Sequence, residues 1–395
     1  MIYSFGARNY FSFKDDFKIS FEFNSKVPKT ISLSRNATTV LGIKGANASG
    51  KSNILKALRF VSAFVTNSFS EDEGDHIRIK SYFNNSIPID FYIDFSSSGI
   101  RYTYELSATE EGVLREAIYK KISRKTLILE RKNNTIKYRV AELSSLDLVT
   151  LKSNSSIIDT ARHYQIKDLG EDIKNVGRFL SLVRGNIGAL GMFDDKSAYD
   201  HTKISEYYFK NPDALEFTKK IITKADLGIS DIVIHETVDE TGGKKYFPIF
   251  HHDQQFHHDQ QEAQSTKSSW LTYWHESDGT TALYRRLYQY YLTLKKGGTL
   301  VLDELDTNYH PALLPCLLDL FINNSTNPLD AQLIFTSHNL EIMDYLGKYR
   351  TYLVSKENGE SYCYRLDEIP GDIIRNDRAI SGLYREGRLG GVPRI

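Results

Sequence analysis

The segment Gly45-Ala46-Asn47-Ala48-Ser49-Gly50-Lys51-Ser52 carries residue types at the spacing needed to hold a phosphate. Glycines let backbone N–H groups turn inward around an anion, and a helix N-terminus behind them adds partial positive charge. In such a loop Lys51 reaches the β- and γ-phosphates, and the Ser52 hydroxyl ligates Mg²⁺. Gly45, Asn47, Ser49, Gly50, Lys51, Ser52 and Asn53 are therefore the candidate phosphate and nucleotide contacts. The plain alternative is a glycine-rich turn that matches by accident. The flanking context argues against it, because an apolar strand precedes the loop and a helix follows.

A phosphate loop alone leaves the chemistry open. Downstream, Leu300-Val301-Leu302 reads as a buried strand ending in Asp303 and Glu304. On a strand next to the loop, Asp303 would hold Mg²⁺, and Glu304 would orient the attacking water as general base. A third apolar strand, Leu333-Ile334-Phe335, runs into Thr336-Ser337-His338-Asn339, where His338 would bond a γ-phosphate. Lastly, Glu276-Ser277-Asp278-Gly279-Thr280 opens a helix carrying Leu283, Leu287, Tyr290 and Tyr291. Such a turn is a second anion site at a helix start. Each of these three has a bland counterpart: a solvated acidic turn, a structural histidine and a simple N-cap. Their order behind one phosphate loop favours the chemical reading.

These residues need a scaffold. Ala37 to Ile43 reads as the buried strand before the loop. Ile54, Leu55, Leu58, Val61 and Val65 recur at helical period after it. Residues 1 to about 45 read as strands, among them Tyr10–Phe13 and Phe17–Phe23. Alternating runs from 87 to 140 predict a curved antiparallel sheet. From 142 to 240 the pattern turns helical and polar, with Ile166, Leu169, Ile173, Val176, Phe179, Leu180 and Val183 near a 3.6-residue period. No sustained heptads appear, which argues against a long coiled-coil arm. Phe250-His251-His252-Asp253-Gln254-Gln255 repeats at once as 256–261. Its histidines and aspartates invite a metal site, but a polar surface loop is the better reading, since a six-residue period does not converge the ligands.

Composition narrows the class. Lys plus Arg and Asp plus Glu each number 50, so no overall basic field announces nucleic acid. A local stretch, Lys120 to Arg139, and the arginine-bearing C-terminal region leave DNA binding open. Cys316 and Cys363 are the only cysteines and lack metal-ligand spacing, which fits a reducing cytoplasm. Neither a signal-peptide pattern nor an 18-residue apolar run occurs.

Taken in order, Gly45–Ser52, Ser277–Thr280, Leu300–Glu304 and Thr336–Asn339 resemble the ATP-binding-cassette ATPase heads of the SMC, RecF and OLD group. Together with Asp306, His310-Pro311 and the tail Leu383–Pro393, they look like compact bacterial AAA-family ATPases of abortive-infection and other phage-defence operons, of AbiL-like or PARIS-like type. The resemblance implies an α/β fold: a P-loop mixed sheet, an antiparallel β lobe and a mainly helical insertion. It implies lobes at 1–140 and 266–395 around an insertion at 141–265. It also implies ATP and Mg²⁺ as ligands, catalysis by Lys51, Glu304 and His338, and metal binding by Ser52 and Asp303. Two heads would sandwich two ATP molecules, with Ser277 and Gly279 acting on the partner's nucleotide and Asp306 in the D-loop. The chain would then be a cytoplasmic homo-oligomer controlling a separate effector in antiviral defence. The alternative is a RecF-like repair ATPase that binds DNA directly. The signature departs from Leu-Ser-Gly-Gly, no Q-loop glutamine is placed, and no Toprim-like acidic cluster follows.

Overall fold

The apolar runs bordering the glycine, acid and histidine motifs come together as one sheet. The computed structural model describes residues 1–166, 169–193, 200–225, 228–238, 242–254, 267–307, 309–370, 373–374 and 379–391. They fall into two compact units, the first comprising Met1–Met192, Thr293–Leu305 and Pro315–Ile395, the second Phe193–Leu292 and Asp306–Leu314.

In the first unit a six-stranded sheet runs β18 (Glu360–Arg365), β17 (Thr351–Glu357), β3 (Val40–Gly45), β16 (Gln332–Thr336), β15 (Thr299–Leu302), β9 (Val183–Gly185). Neighbours from β17 to β9 are parallel, and β18 is an antiparallel edge. Strands β3, β15 and β16 are buried along their whole length, which is why they read as continuous apolar runs rather than alternating ones. One sequence expectation needs correction. The strand bearing Asp303 is not next to the phosphate-loop strand, because β16 pairs with both and lies between them. Parallel strands joined by crossovers need not lie in chain order.

The second sheet of this unit is antiparallel and ordered β2 (Phe17–Ser20), β1 (Ile2–Arg8), β4 (Ile89–Ser97), β5 (Ile100–Ala108), β6 (Val113–Lys121), β7 (Lys125–Lys132), β8 (Thr135–Arg139). It includes the antiparallel strands expected from 87 to 140. In β4 the residues Ile89, Phe91, Ile93 and Phe95 all face the core. Tyr10–Phe13 is a turn rather than a strand: Tyr10 and Phe13 bridge each other, and Asn9 and Phe11 have φ of 55° and 49°. Both Tyr10 and Phe13 are buried, so their apolar spacing reflects a turn folded into the core.

Helix α2 (Lys51–Asn67) contacts both sheets. It buries Ile54, Leu55, Leu58, Val61 and Val65, as the period requires, and sets the Phe60 ring 4.9 Å from that of Phe91. At about 1.5–3 kcal/mol per fully buried apolar side chain, this stripe anchors the loop in front of it. Helices α3 (Ile157–His163) and α4 (Glu171–Ser181), expected in the insertion, pack on α2 inside the first unit. Gln332 staples the two sheets: its Oε1 accepts from Ile2 N–H at 2.6 Å and its Nε2 donates to Ile2 O at 2.9 Å.

The second unit holds α5 (His201–Lys210), α6 (Pro212–Ala225), most of α7 (Asp278–Lys296) and a three-stranded antiparallel sheet, β12 (Ile229–Val238), β13 (Lys244–Gln254), β14 (Lys267–Thr272). The sequence reads as helical through 240, but Ile229–Val238 is a strand burying Ile232 and Ile234 at a period of two. Residues 250–254 of the first His-Asp-Gln copy lie in β13 rather than in the expected surface loop, with Phe250 fully buried, while 255–261 lie outside the described residues. Among the described residues no helix is long and apolar enough to cross a membrane.

Candidate functional site

Because β3, β16 and β15 are parallel, their carboxyl ends share one edge of the sheet. That edge receives the phosphate loop after β3, Asp303 and Glu304 after β15, and Ser337 and His338 after β16. Ligands in open α/β sheets bind at this edge.

The loop's shape depends on glycine at both ends. A Cβ on Gly45 would lie 2.3 Å from Val354 O, and Gly50 caps α2 with φ of 109°. Lys51 is buried, and its Nζ donates to Gly45 O at 3.0 Å and Ala46 O at 2.9 Å. A hydroxyl network pins the loop from behind. Ser361 Oγ donates to Ser49 O at 2.7 Å and accepts from Ser12 Oγ at 2.8 Å, and Asn53 Nδ2 donates to Ser12 Oγ at 3.0 Å. Ser49 Oγ itself is buried and has no hydrogen-bond partner among the described residues.

The acid pair is held as firmly. Asn186 clamps the Asp303 backbone, its Nδ2 donating to Asp303 O and its Oδ1 accepting from Asp303 N–H, both at 2.8 Å. Thr336 Oγ1 donates to Asp303 Oδ1 at 2.5 Å and accepts from Glu304 N–H at 2.8 Å. Glu304 has φ of 51°, a left-handed conformation uncommon for a residue with a Cβ. Such backbone persists only where surroundings enforce it, and it clusters at functional sites. Burial lowers the pKa of the Lys56 ammonium, while the Asp303 charge pulls it back up. His338 is exposed, and its carbonyl accepts a hydrogen bond from buried Lys44.

These residues fit a nucleoside triphosphate with Mg²⁺. An orphaned buried hydroxyl sits in a loop whose end glycines leave no room for a Cβ, and Ser52 and Asp303 are hard oxygen donors of the kind Mg²⁺ takes. Among the described residues no group of three or more His, Cys, Asp or Glu side chains converges, so phosphate and water would complete the ion's shell.

Ser277, Gly279 and Asp306 belong to the second unit. Ser277 is exposed and caps α7, its Oγ accepting from Thr280 N–H at 3.1 Å. His252 Nε2 lies 2.5 Å from Glu276 Oε1, so the first His-Asp-Gln copy braces the residue preceding Ser277. Four of the eight basic residues in 120–139 pair with carboxylates. Lys120 pairs with Asp172 at 2.9 Å and Lys125 with Glu105 at 2.8 Å, Arg139 pairs with Asp147, and Arg131 is fully buried against Glu116. Ser12, Asn186, Thr336 and Ser361 escape the sequence reading as site residues. Only Thr336, directly before Ser337-His338, carries a local hint, and the others arrive from distant elements.

A protein-family model described as "AAA domain, putative AbiEii toxin, Type IV TA system" matches residues 40–344. No curated protein matches. Among solved structures, the SMC head domain from Thermotoga maritima is 15% identical, covering 92% of this chain and 98% of that chain with a TM-score of 0.44. An SMC head bound to the C-winged helix domain of ScpA is 14% identical, covering 93% and 99% with a TM-score of 0.45. The recombination mediator protein RecF is 10% identical, covering 92% and 98% with a TM-score of 0.35.

Proposed function

The chain belongs to the family described as AAA domain, putative AbiEii toxin, Type IV TA system, and from that premise we propose that it binds and hydrolyses ATP with Mg²⁺ between two copies of itself. One observation carries the proposal: the Lys51 loop, the Asp303–Glu304 pair and His338 meet at the carboxyl edge of one parallel sheet.

Lys51 and the loop amides hold the β- and γ-phosphates. Ser52 and Asp303 hold the metal, which when bound neutralises charge on the phosphate oxygens. Glu304 takes a proton from the attacking water as its oxygen bonds to the γ-phosphorus. The bond from that phosphorus to the β-bridging oxygen breaks, and ADP leaves with the electron pair. His338 donates to the γ-phosphate and senses its presence. Ser277 and Gly279 complete the site on the partner copy, with Asp306 beside them, so nucleotide state sets whether two copies stay together. In the cell this cycle controls a separate effector in antiviral defence from the cytoplasm. The toxin–antitoxin wording of the family description supports that role. Direct DNA binding by the Lys120–Arg139 stretch is the weaker reading, because half of its eight basic residues, Lys120, Lys125, Arg131 and Arg139, are each paired with a carboxylate.

The test is light scattering on a Glu304→Gln variant with and without ATP and Mg²⁺, alongside recovery of co-purifying proteins from the native operon. A nucleotide-dependent shift from monomer to dimer is expected. An unchanged mass and unchanged association under both conditions overturn the proposal.

A further inference from the structure

On the β17–β18 side of the phosphate loop lies a cavity of about 700 Å³. Its walls are the loop segment Ala46–Ser49, the β17–β18 hairpin with Asn358 and Tyr362, and the glycines of the tail. The catalytic edge as described above does not account for this space. We infer that it is the nucleoside seat of the site, where a purine base stacks on Tyr362 and the glycine tail forms the far wall. The inference rests on the nucleotide reading above.

The sheet order gives the direction. On one side of β3 lie β16 and β15, whose ends present His338, Asp303 and Glu304 to the phosphates. On the other lie β17 and β18, and there the loop borders open space. A nucleotide whose terminal phosphate faces the acids therefore has its base directed toward the hairpin. A volume of this size suits a small-molecule ligand.

The wall chemistry suits a base. Tyr362 is 42% exposed, so one large aromatic surface borders the cavity uncovered. It stands in a row with Tyr364, ring centroids 6.3 Å apart and nearly parallel. Tyr364 in turn donates its hydroxyl to Leu389 O, and Tyr384 donates to Gly391 O at 2.7 Å. Leu389 is buried in an apolar cluster with Leu353, Leu383 and Tyr384, which ties the tail to the sheet. The approach is close enough to demand glycine: a Cβ on Gly390, at φ of 73°, would lie 2.6 Å from Tyr364 Oη. The tail is thus fixed beside the loop, with Asn358 supplying an amide at the cavity's rim.

The experiment compares binding of ATP, CTP and inorganic tripolyphosphate, measured calorimetrically with the full chain as wild type, Tyr362→Ala and Tyr362→Phe. Loss of one aromatic stack predicts about tenfold weaker ATP binding for Tyr362→Ala. Tripolyphosphate binding stays unchanged, Tyr362→Phe stays near wild type, and wild type binds CTP less tightly than ATP. Retained tripolyphosphate binding also shows that the variant is folded. The inference is overturned if Tyr362→Ala binds ATP as wild type does, or if ATP and tripolyphosphate weaken equally. If wild type binds neither ATP nor tripolyphosphate, the proposed function fails, and this inference fails with it.

Discussion

Replacing Thr336 with valine removes one hydroxyl and keeps the side chain's shape. That hydroxyl is buried, donates to Asp303 Oδ1 at 2.5 Å and accepts from Glu304 N–H at 2.8 Å. A hydrogen bond to a charged group contributes about 1.5–3 kcal/mol. It also fixes the backbone of Glu304, whose φ of 51° costs on the order of 1–3 kcal/mol that only its surroundings can hold. Without the hydroxyl, Glu304 relaxes toward an ordinary backbone, and its carboxylate leaves the position from which the proposed mechanism has it activate water. Since each 1.4 kcal/mol is tenfold in rate, kcat for phosphate release should fall about 10- to 100-fold. Nucleotide affinity should stay within about twofold, because Lys51 and the loop amides are untouched. Unfolding free energy should drop by about 1.5–3 kcal/mol in urea titration. Thr336→Ser should recover most of the rate. Comparable losses of kcat and affinity, or a stability loss with no change in kcat, would refute the positioning argument.

Two further outcomes follow from single contacts. Gln332→Leu leaves the Ile2 amide and carbonyl without their side-chain partner between the sheets, and should lower unfolding free energy by about 1–3 kcal/mol. An unchanged denaturation midpoint would show that the staple contributes nothing. His252→Ala releases Glu276 beside the Ser277 turn, and should cut ATPase turnover several-fold, by about 1 kcal/mol in the barrier, while leaving monomer nucleotide affinity alone. A drop in affinity instead would place His252 in the wrong role.

What the sequence disclosed and what it hid divide along a physical line. The phosphate loop, the apolar stripe of α2 and the antiparallel strands from β4 onward are local patterns, so Gly45–Ser52, Ile54–Val65 and Ile89–Phe95 were legible from spacing alone. The order of parallel strands is not local. Asp303 was expected on a strand beside the loop, whereas β16 intervenes and brings Thr336 to the acid. Tyr10–Phe13 shows the limit of periodicity, since buried aromatics in a turn imitate alternation. Likewise Ile229–Val238 carries polar residues on one face that blend with the helical stretch before it. Asn186, Ser12 and Ser361 reach the site from 117, 37 and 312 residues away from Asp303 or Ser49 in the chain, and no short motif could point to them.

The central claim is that each site is made by two copies, Lys51 from one and Ser277 from the other. The most direct measurement mixes Lys51→Ala chains with Ser277→Arg chains, each inactive alone, and follows phosphate release after the copies exchange. A symmetric composite dimer predicts recovery of about one quarter of wild-type turnover, because half the dimers are mixed and each mixed dimer holds one intact site. If the mixture stays as inactive as its parts, Lys51 and Ser277 do not serve one site across two copies, and the account is contradicted.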